Sequence, residues 1–213
     1  MVDSNLDELR AIVIRSIDES SEGLIAAAKS VYGMPETGFN ERKTSSFVKK
    51  QLEQLNLSVQ TGIAITGLKA VIEGSNPGPT IAVIAELDAL RVPSHPGSDS
   101  DSGAAHACGH HIQIGALLGV ATALVNPDVK DSLSGNIVLI LTPAEEFIDI
   151  DERLTRRSND EIEFLSGKQE MIRLGAFDGI DMAIMIHASN VDGNGNFSVG
   201  GTTNAHLTHQ VRY

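Results

Sequence analysis

Nine residues between positions 86 and 187 have side chains suited to holding metal ions or moving protons: Glu86, Asp88, His106, Cys108, His110, His111, Glu145, Glu146 and His187. Thiolate, imidazole and carboxylate together make the donor set expected for zinc or a similar divalent transition metal. Gly109 separates Cys108 from His110, and a glycine there lets the backbone bend so that both side chains face one ion. The adjacent Glu145 and Glu146 meet a second need. One can bind metal while its neighbour, pointing elsewhere, takes a proton from the metal-bound water. Taken singly, each residue has a simpler account. A lone cysteine is usually a small core hydrophobe. A histidine after a strand is usually a loop residue, and a glutamate pair is usually a solvated face.

Their positions along the chain set them apart. An apolar run at 80–85 leads into Glu86-Leu87-Asp88, one at 136–141 into Pro143-Ala144-Glu145-Glu146, and one at 182–186 into His187. Between the first two lies His106-Ala107-Cys108-Gly109-His110-His111, just before a helical pattern at 111–124. Ligands in open α/β sheets bind outside the carboxyl ends of the strands, so parallel neighbours would gather these groups at one sheet edge.

The other elements fit that arrangement. Residues 4–31 have helical periodicity, with Ser4 as N-cap and Asp7 as a weak capping box. A second helix is expected at 44–55, and neighbouring strands at 57–61 and 68–73. Asn76-Pro77-Gly78-Pro79 has turn composition, and 91–106 has loop composition. The charged stretch 147–165 predicts an exposed, solvated insertion. Residues 168–174 predict a helix stopped at Gly175, and 196–213 have strand texture. Helices alternating with apolar strands predict an α/β fold with a largely parallel central sheet flanked by helices.

Composition narrows the function classes. The net charge of -12 disfavours nucleic acid and a polybasic membrane anchor as partners. Cys108 is the only cysteine of the 213 residues, so no intramolecular disulfide forms, which fits a reducing compartment. No apolar run approaches the roughly 20 residues of a membrane helix. The first residues lack the pattern of a signal peptide, so a cytoplasmic location is expected. His95, His206 and His209 have no motif context.

At these residues the chain resembles the amidohydrolase branch of the M20 metallopeptidases, which contains aminoacylases, hippurate hydrolases and auxin-conjugate hydrolases. The resemblance rests on Pro35-Glu36-Thr37-Gly38-Phe39-Asn40-Glu41, Ala85-Glu86-Leu87-Asp88-Ala89-Leu90, His106-Ala107-Cys108-Gly109-His110, Thr142-Pro143-Ala144-Glu145-Glu146 and Met185-Ile186-His187. These occur in family order across roughly residues 8–213. The resemblance implies two divalent ions (Zn, Mn, Co or Ni), with Cys108, His110, Glu146 and His187 as ligands. It implies Glu145 as the general base that activates water, and Asp88 as the residue orienting a ligand. The implied substrate is a small N-acyl amino acid or dipeptide. Departures are His111 where Asp or Asn is usual, Glu86 where many relatives have Asp, and a long charged stretch after Glu146 where a short glycine-rich one is usual.

The family pattern also has a further metal-binding histidine near the C-terminus of a chain nearly twice as long, and a lid domain that usually mediates homodimerisation. Against that pattern the chain reads as C-terminally truncated. Residues 1–198 would form an incomplete catalytic metal-binding domain, and 199–213 the beginning of the lid. Two alternatives stand beside the hydrolase. Cys108 could act as a nucleophile with His110 or His106 as its base. Alternatively, the chain binds metal or ligand without turnover.

Overall fold

The computed structural model describes residues 4–188. In chain order the elements are α1 (Ser4–Tyr32), α2 (Arg42–Gln54), β1 (Val59–Ile63), β2 (Gly67–Glu73), β3 (Asn76–Glu86), β4 (Leu90–Arg91) and β5 (Ala104–Ala105). There follow α3 (His110–Leu124), α4 (Pro127–Lys130), β6 (Ser134–Thr142), α5 (Ile150–Ser158), α6 (Gly167–Arg173) and β7 (Met182–Met185). The expected strand texture at 196–213, and with it the start of a lid at 199, lies outside the described residues. No helix among those described is long and apolar enough to cross a membrane.

Alternation along the strands builds two cores. On β6, Leu139 and Leu141 join Ala85 and Leu87, at the end of β3, in a layer with α1, α2 and α3. Val138 and Ile140 point the other way and pack with Ala82, Phe39, Ile162 and Met171. Successive side chains of a strand face opposite sides, so a strand apolar at every position needs cover on both. That accounts for the unbroken apolar runs of β3 and β6. The result is a central sheet between helical layers.

The sheet order is β1-β2-β6-β3-β7. β3 runs parallel to both β6 and β7, whereas β2 is antiparallel to β6 and β1 to β2. The expected largely parallel sheet is therefore parallel where it carries the candidate residues and mixed overall. Only residues 64–66 join β1 to β2, and so short a link makes a hairpin. Helices lie on the connections that make the parallel pairs.

The expected turn at Asn76–Pro79 is instead the start of β3. β2 and β3 flank β6, so the chain must pass the beginning of β6 here. Its pairing shifts register between Asn76 and Thr80. α2 starts two residues earlier than expected, because the Glu36 carboxylate accepts from the Lys43 and Thr44 amides at 3.1 and 2.9 Å. Those are orphan donors that a helix start must satisfy. Among the described residues β7 lies at the sheet edge with Met182, Ile184 and Met185 exposed, so the expected two-sided cover is not found there.

The charged stretch 147–165 also differs from expectation. It forms α5, whose Arg153 is 1% exposed, and it buries Ile162 in the second core. A mixed-charge sequence normally marks a solvated face. Here the charges are matched by groups from distant parts of the chain. Arg156 donates to Asn40 at 2.8 Å, Asn40 donates to Glu152 at 3.1 Å, and Arg91 pairs with Asp149 at 2.8 Å.

Candidate metal centre

Parallel pairing aligns three strand ends. Glu86 is level with Thr142, and Ile84 with Met185, so the residues following each strand emerge at one edge of the sheet. Cys108 and His110 arrive there from the loop before α3. Gly109 between them has φ +103°, a left-handed conformation that favours glycine, and a Cβ at that position would lie 2.9 Å from the Ala188 Cβ. The bend expected at Gly109 is thus present.

His110 is the centre of the cluster and is fully buried. Its Nδ1 pairs with the Asp88 carbonyl at 2.8 Å, which directs Nε2 toward the carboxylates. Nε2 lies 3.0 Å from Glu86 Oε2, 3.8 Å from Glu145 Oε2 and 3.9 Å from Glu146 Oε1. The Glu86 contact is within ion-pair distance but outside hydrogen-bond geometry, so Nε2 has no hydrogen-bond partner among the described residues. Glu146 Oε1 and Asp88 Oδ1 are likewise buried without a hydrogen-bond partner among the described residues. Cys108 Sγ lies 3.5 Å from His187 Nε2, and the His187 and His110 rings meet edge to face at 5.8 Å.

Two overlapping groups of donors close enough to share an ion result. One is Cys108, His110 and His187, and the other is Glu86, His110 and Glu145. The unpartnered His110 Nε2 and Glu146 Oε1, 3.9 Å apart, fit a cation between them, because leaving buried polar atoms without a partner costs free energy. The protonation pattern agrees. Burial alone would lower the His110 pKa, but the Asp88 and Glu86 carboxyls outweigh it and push the imidazole up to about 10. Burial, then the Glu146, Glu145 and Glu86 carboxylates, push the Cys108 thiol up to about 12. Burial and the neighbouring Glu86 also raise the Glu145 carboxyl. The site gathers four carboxyl groups around His110 and Lys168, an excess of acidic groups that suits a cation.

Asp88 braces this cluster twice. Its carbonyl meets His110, and its Oδ2 accepts from the Glu146 amide at 2.9 Å. Sequence inspection missed the role of Glu86 and Gln113, which exchange two hydrogen bonds of 3.0 and 3.1 Å. It also missed Lys168, which pairs with Glu86 and stands 3.7 Å from Glu145 Oε1. Glu86 is buried, yet His110 and Lys168 outweigh burial and hold its pKa down at about 2. The only available signal was the placement of Glu86 at the end of the same strand as Asp88.

Two histidines fall elsewhere. The His111 ring packs on Tyr32 at 5.0 Å and on His106 at 5.6 Å, apart from the donor groups. His95 packs against Tyr32 and accepts from the Gly97 amide at 3.0 Å. His206 and His209 lie outside the described residues.

The Glu145–Glu146 turn is held from behind. Ala144 has φ +48°, unusual for a residue with a side chain. Its amide donates to the buried Glu41 carboxylate at 2.7 Å, and Thr66 donates to the same carboxylate at 2.6 Å. Burial, reinforced by Asp88, raises Glu41 to about 7. The folded pKa lies above the unfolded one, so stability is fully present below about 4.5 and is lost as pH rises through about 7. The step from 4.5 to about 7 corresponds to roughly 3 kcal/mol. In Glu41→Gln that loss is expected to vanish, and urea midpoints at pH 5, 6, 7 and 8 would show a flatter profile than wild type. An unchanged slope would show that Glu41 is ionised in the folded state.

Cysteine, histidine and carboxylate donors thus meet at the carboxyl edge of an α/β sheet, with His110 and Glu86 buried, Cys108, Glu145 and Glu146 half-buried and His187 exposed, and such a donor set can hold a divalent metal. The profile of peptidase family M20/M25/M40 matches residues 82–208, and the chain belongs to that family. It is 33% identical over 186 residues to thermostable carboxypeptidase 1 of Saccharolobus solfataricus, covering 85% of this chain and 43% of that protein. It is 33% identical over 167 residues to N-acetyl-L-cysteine deacetylase of Bacillus subtilis, covering 77% of this chain and 36% of that protein. Its fold matches the crystal structure of a dinuclear metal-binding M20 peptidase from Bacillus subtilis, with a TM-score of 0.60 and 25% identity, over 82% of this chain and 42% of that one. The chain thus spans less than half the length of the relatives it matches.

Proposed function

We propose that the whole protein hydrolyses the amide bond of a small N-acyl amino acid or dipeptide, with residues 1–213 supplying most of the reactive site. The observation that carries this is the pair of donor groups sharing His110 at the ends of three parallel strands. The deacetylase and carboxypeptidase relatives support the substrate class.

Cys108, His110, Glu146 and His187 would hold two divalent ions, of zinc, manganese, cobalt or nickel. When bound, such ions polarise a scissile carbonyl and acidify water. Glu145 takes the proton of the attacking water and returns it to the leaving amine. Asp88 orients the His110 ring through its carbonyl and the Glu146 main chain through its carboxylate. Lys168 offsets the buried charge of Glu86 and faces Glu145. A thiol nucleophile is disfavoured, because Cys108 is held protonated and Cys–His catalysis needs the opposite shift.

The test is hydrolysis of a panel of N-acetyl amino acids and dipeptides by the whole protein. Activity is expected to disappear with a chelator and to return with one of the four metals. Activity that survives chelation but is lost on thiol alkylation would revive the nucleophile. Metal binding without turnover on any member would leave a binding protein.

A further inference from the structure

The charged stretch after Glu146 contains one side chain with no place in the chemistry above, yet it is among the most deeply buried in the molecule. Arg153 on α5 is 1% exposed. Burying a guanidinium is costly unless its donors are used, so its partners define its purpose. They are main-chain carbonyls. Nη1 donates to Leu165 O at 2.7 Å and to Ala144 O at 3.4 Å, and Nη2 donates to Glu146 O. The guanidinium carbon sits 5.4 Å from the Phe39 ring and 5.9 Å from the Phe147 ring.

The two carbonyls nearest the site belong to the residue before Glu145 and to Glu146 itself. Arg153 therefore grips the catalytic turn on either side of Glu145, while Glu41 holds the Ala144 amide from the other side. This opposed grip accounts for Ala144 keeping a positive φ, since a strained backbone persists only where its surroundings over-determine it. It also accounts for Gly38. A Cβ there would lie 2.4 Å from Arg153 Nη2 and 2.7 Å from the Ala144 Cα.

We propose that Arg153 is a positioning residue for the catalytic pair. Through a fork of main-chain hydrogen bonds it fixes the aim of Glu145 and Glu146. The stretch 147–167 then serves to build the site. The proposal rests on the hydrolase reading of the same turn. Lysine keeps the charge but cannot reproduce a planar fork reaching three carbonyls. A loosened turn misplaces the proton carrier, and displacement of about 1 Å can cost on the order of 100-fold in rate.

The experiment compares wild type, Arg153→Lys and Arg153→Ala in the whole, metal-loaded protein. Met171→Ala serves as a control that removes buried volume from the same core. For Arg153→Lys, kcat is expected to fall about 30-fold with KM within about threefold of wild type, a loss of aim and not of binding. Metal content should stay close to wild type in all three variants, because the donor group of Cys108, His110 and His187 does not depend on the Glu145–Glu146 turn. Free guanidinium ion should restore part of the kcat of Arg153→Ala and leave Met171→Ala unchanged. A normal kcat in both Arg153 variants, with only a lower Tm, would overturn the assignment. So would failure of both to fold while Met171→Ala folds, because that is a folding role alone. Absence of metal-dependent hydrolysis in wild type would instead strike the hydrolase reading, and amide exchange around Ala144 would then decide Arg153. Faster exchange at the Ala144 and Gly167 amides in Arg153→Lys, but not in the control, supports the grip, and equal exchange refutes it.

Discussion

Replacing Glu145 by glutamine is expected to leave metal content intact and to lower kcat by about a thousandfold in the whole protein, within the range for loss of a general acid–base group. Glutamine keeps the size of the side chain and loses only the ability to take and return a proton. Metal should be retained because the proposed ligands, Cys108, His110, Glu146 and His187, do not include Glu145, and glutamine keeps an oxygen donor in the group that Glu145 forms with Glu86 and His110. In the metal-free protein the variant should be at least as stable as wild type. Burial and then the charges of Glu86, Glu146 and Asp88 raise the pKa of Glu145 against the pull of Lys168, so a neutral side chain there avoids both the desolvation and the repulsion. Metal analysis, steady-state kinetics and thermal melts check the three parts. A variant retaining most of its kcat would remove Glu145 from the proton path.

Cys108→Ala has the opposite signature, because it strips metal. In the free protein the thiol is held up at about 12 and the imidazole of His110 at about 10, so both carry protons at pH 7. A metal ion binds the deprotonated forms, so binding at pH 7 should release about two protons in wild type and about one in Cys108→Ala. Since protons compete for the same atoms, affinity rises with pH, more steeply in wild type than in the variant. Calorimetry in buffers of differing ionisation enthalpy counts the protons, and elemental analysis gives the occupancy. Equal metal content and equal proton release would exclude Cys108 from the centre.

The two variants separate functions that share a few ångströms. Their contrast depends on His110, whose Nδ1 is committed to Asp88 O and whose Nε2 faces both donor groups. If both variants lost metal, Glu145 would belong among the ligands, a place that its contact with His110 at 3.8 Å permits.

Much of this was legible in the sequence for simple reasons. Strands buried on both faces must be apolar at every position, so β3 and β6 stand out from any amphipathic segment. The polar residues that end those runs, with Cys108-Gly109-His110 between them, mark the carboxyl edge, because a parallel sheet has only one such edge. The bend at Gly109 follows from a conformation open to glycine. Local chemistry thus determined the α/β class, the edge that carries the site and the candidate donors.

Tertiary structure decided what depends on partners remote in sequence. Mixed charge in 147–165 implies solvent only if the charges find no partners, and Arg153, Arg156 and Asp149 find theirs at 144–165, 40 and 91. Glu86 and Lys168 are brought together from separate elements, and nothing local to either predicts the pair. Asn76–Pro79 has turn composition, and only the need to pass β6 makes it strand. Periodicity and residue type report on a residue's own backbone and exposure. Charge pairing and strain are settled by which distant groups the fold sets within a few ångströms.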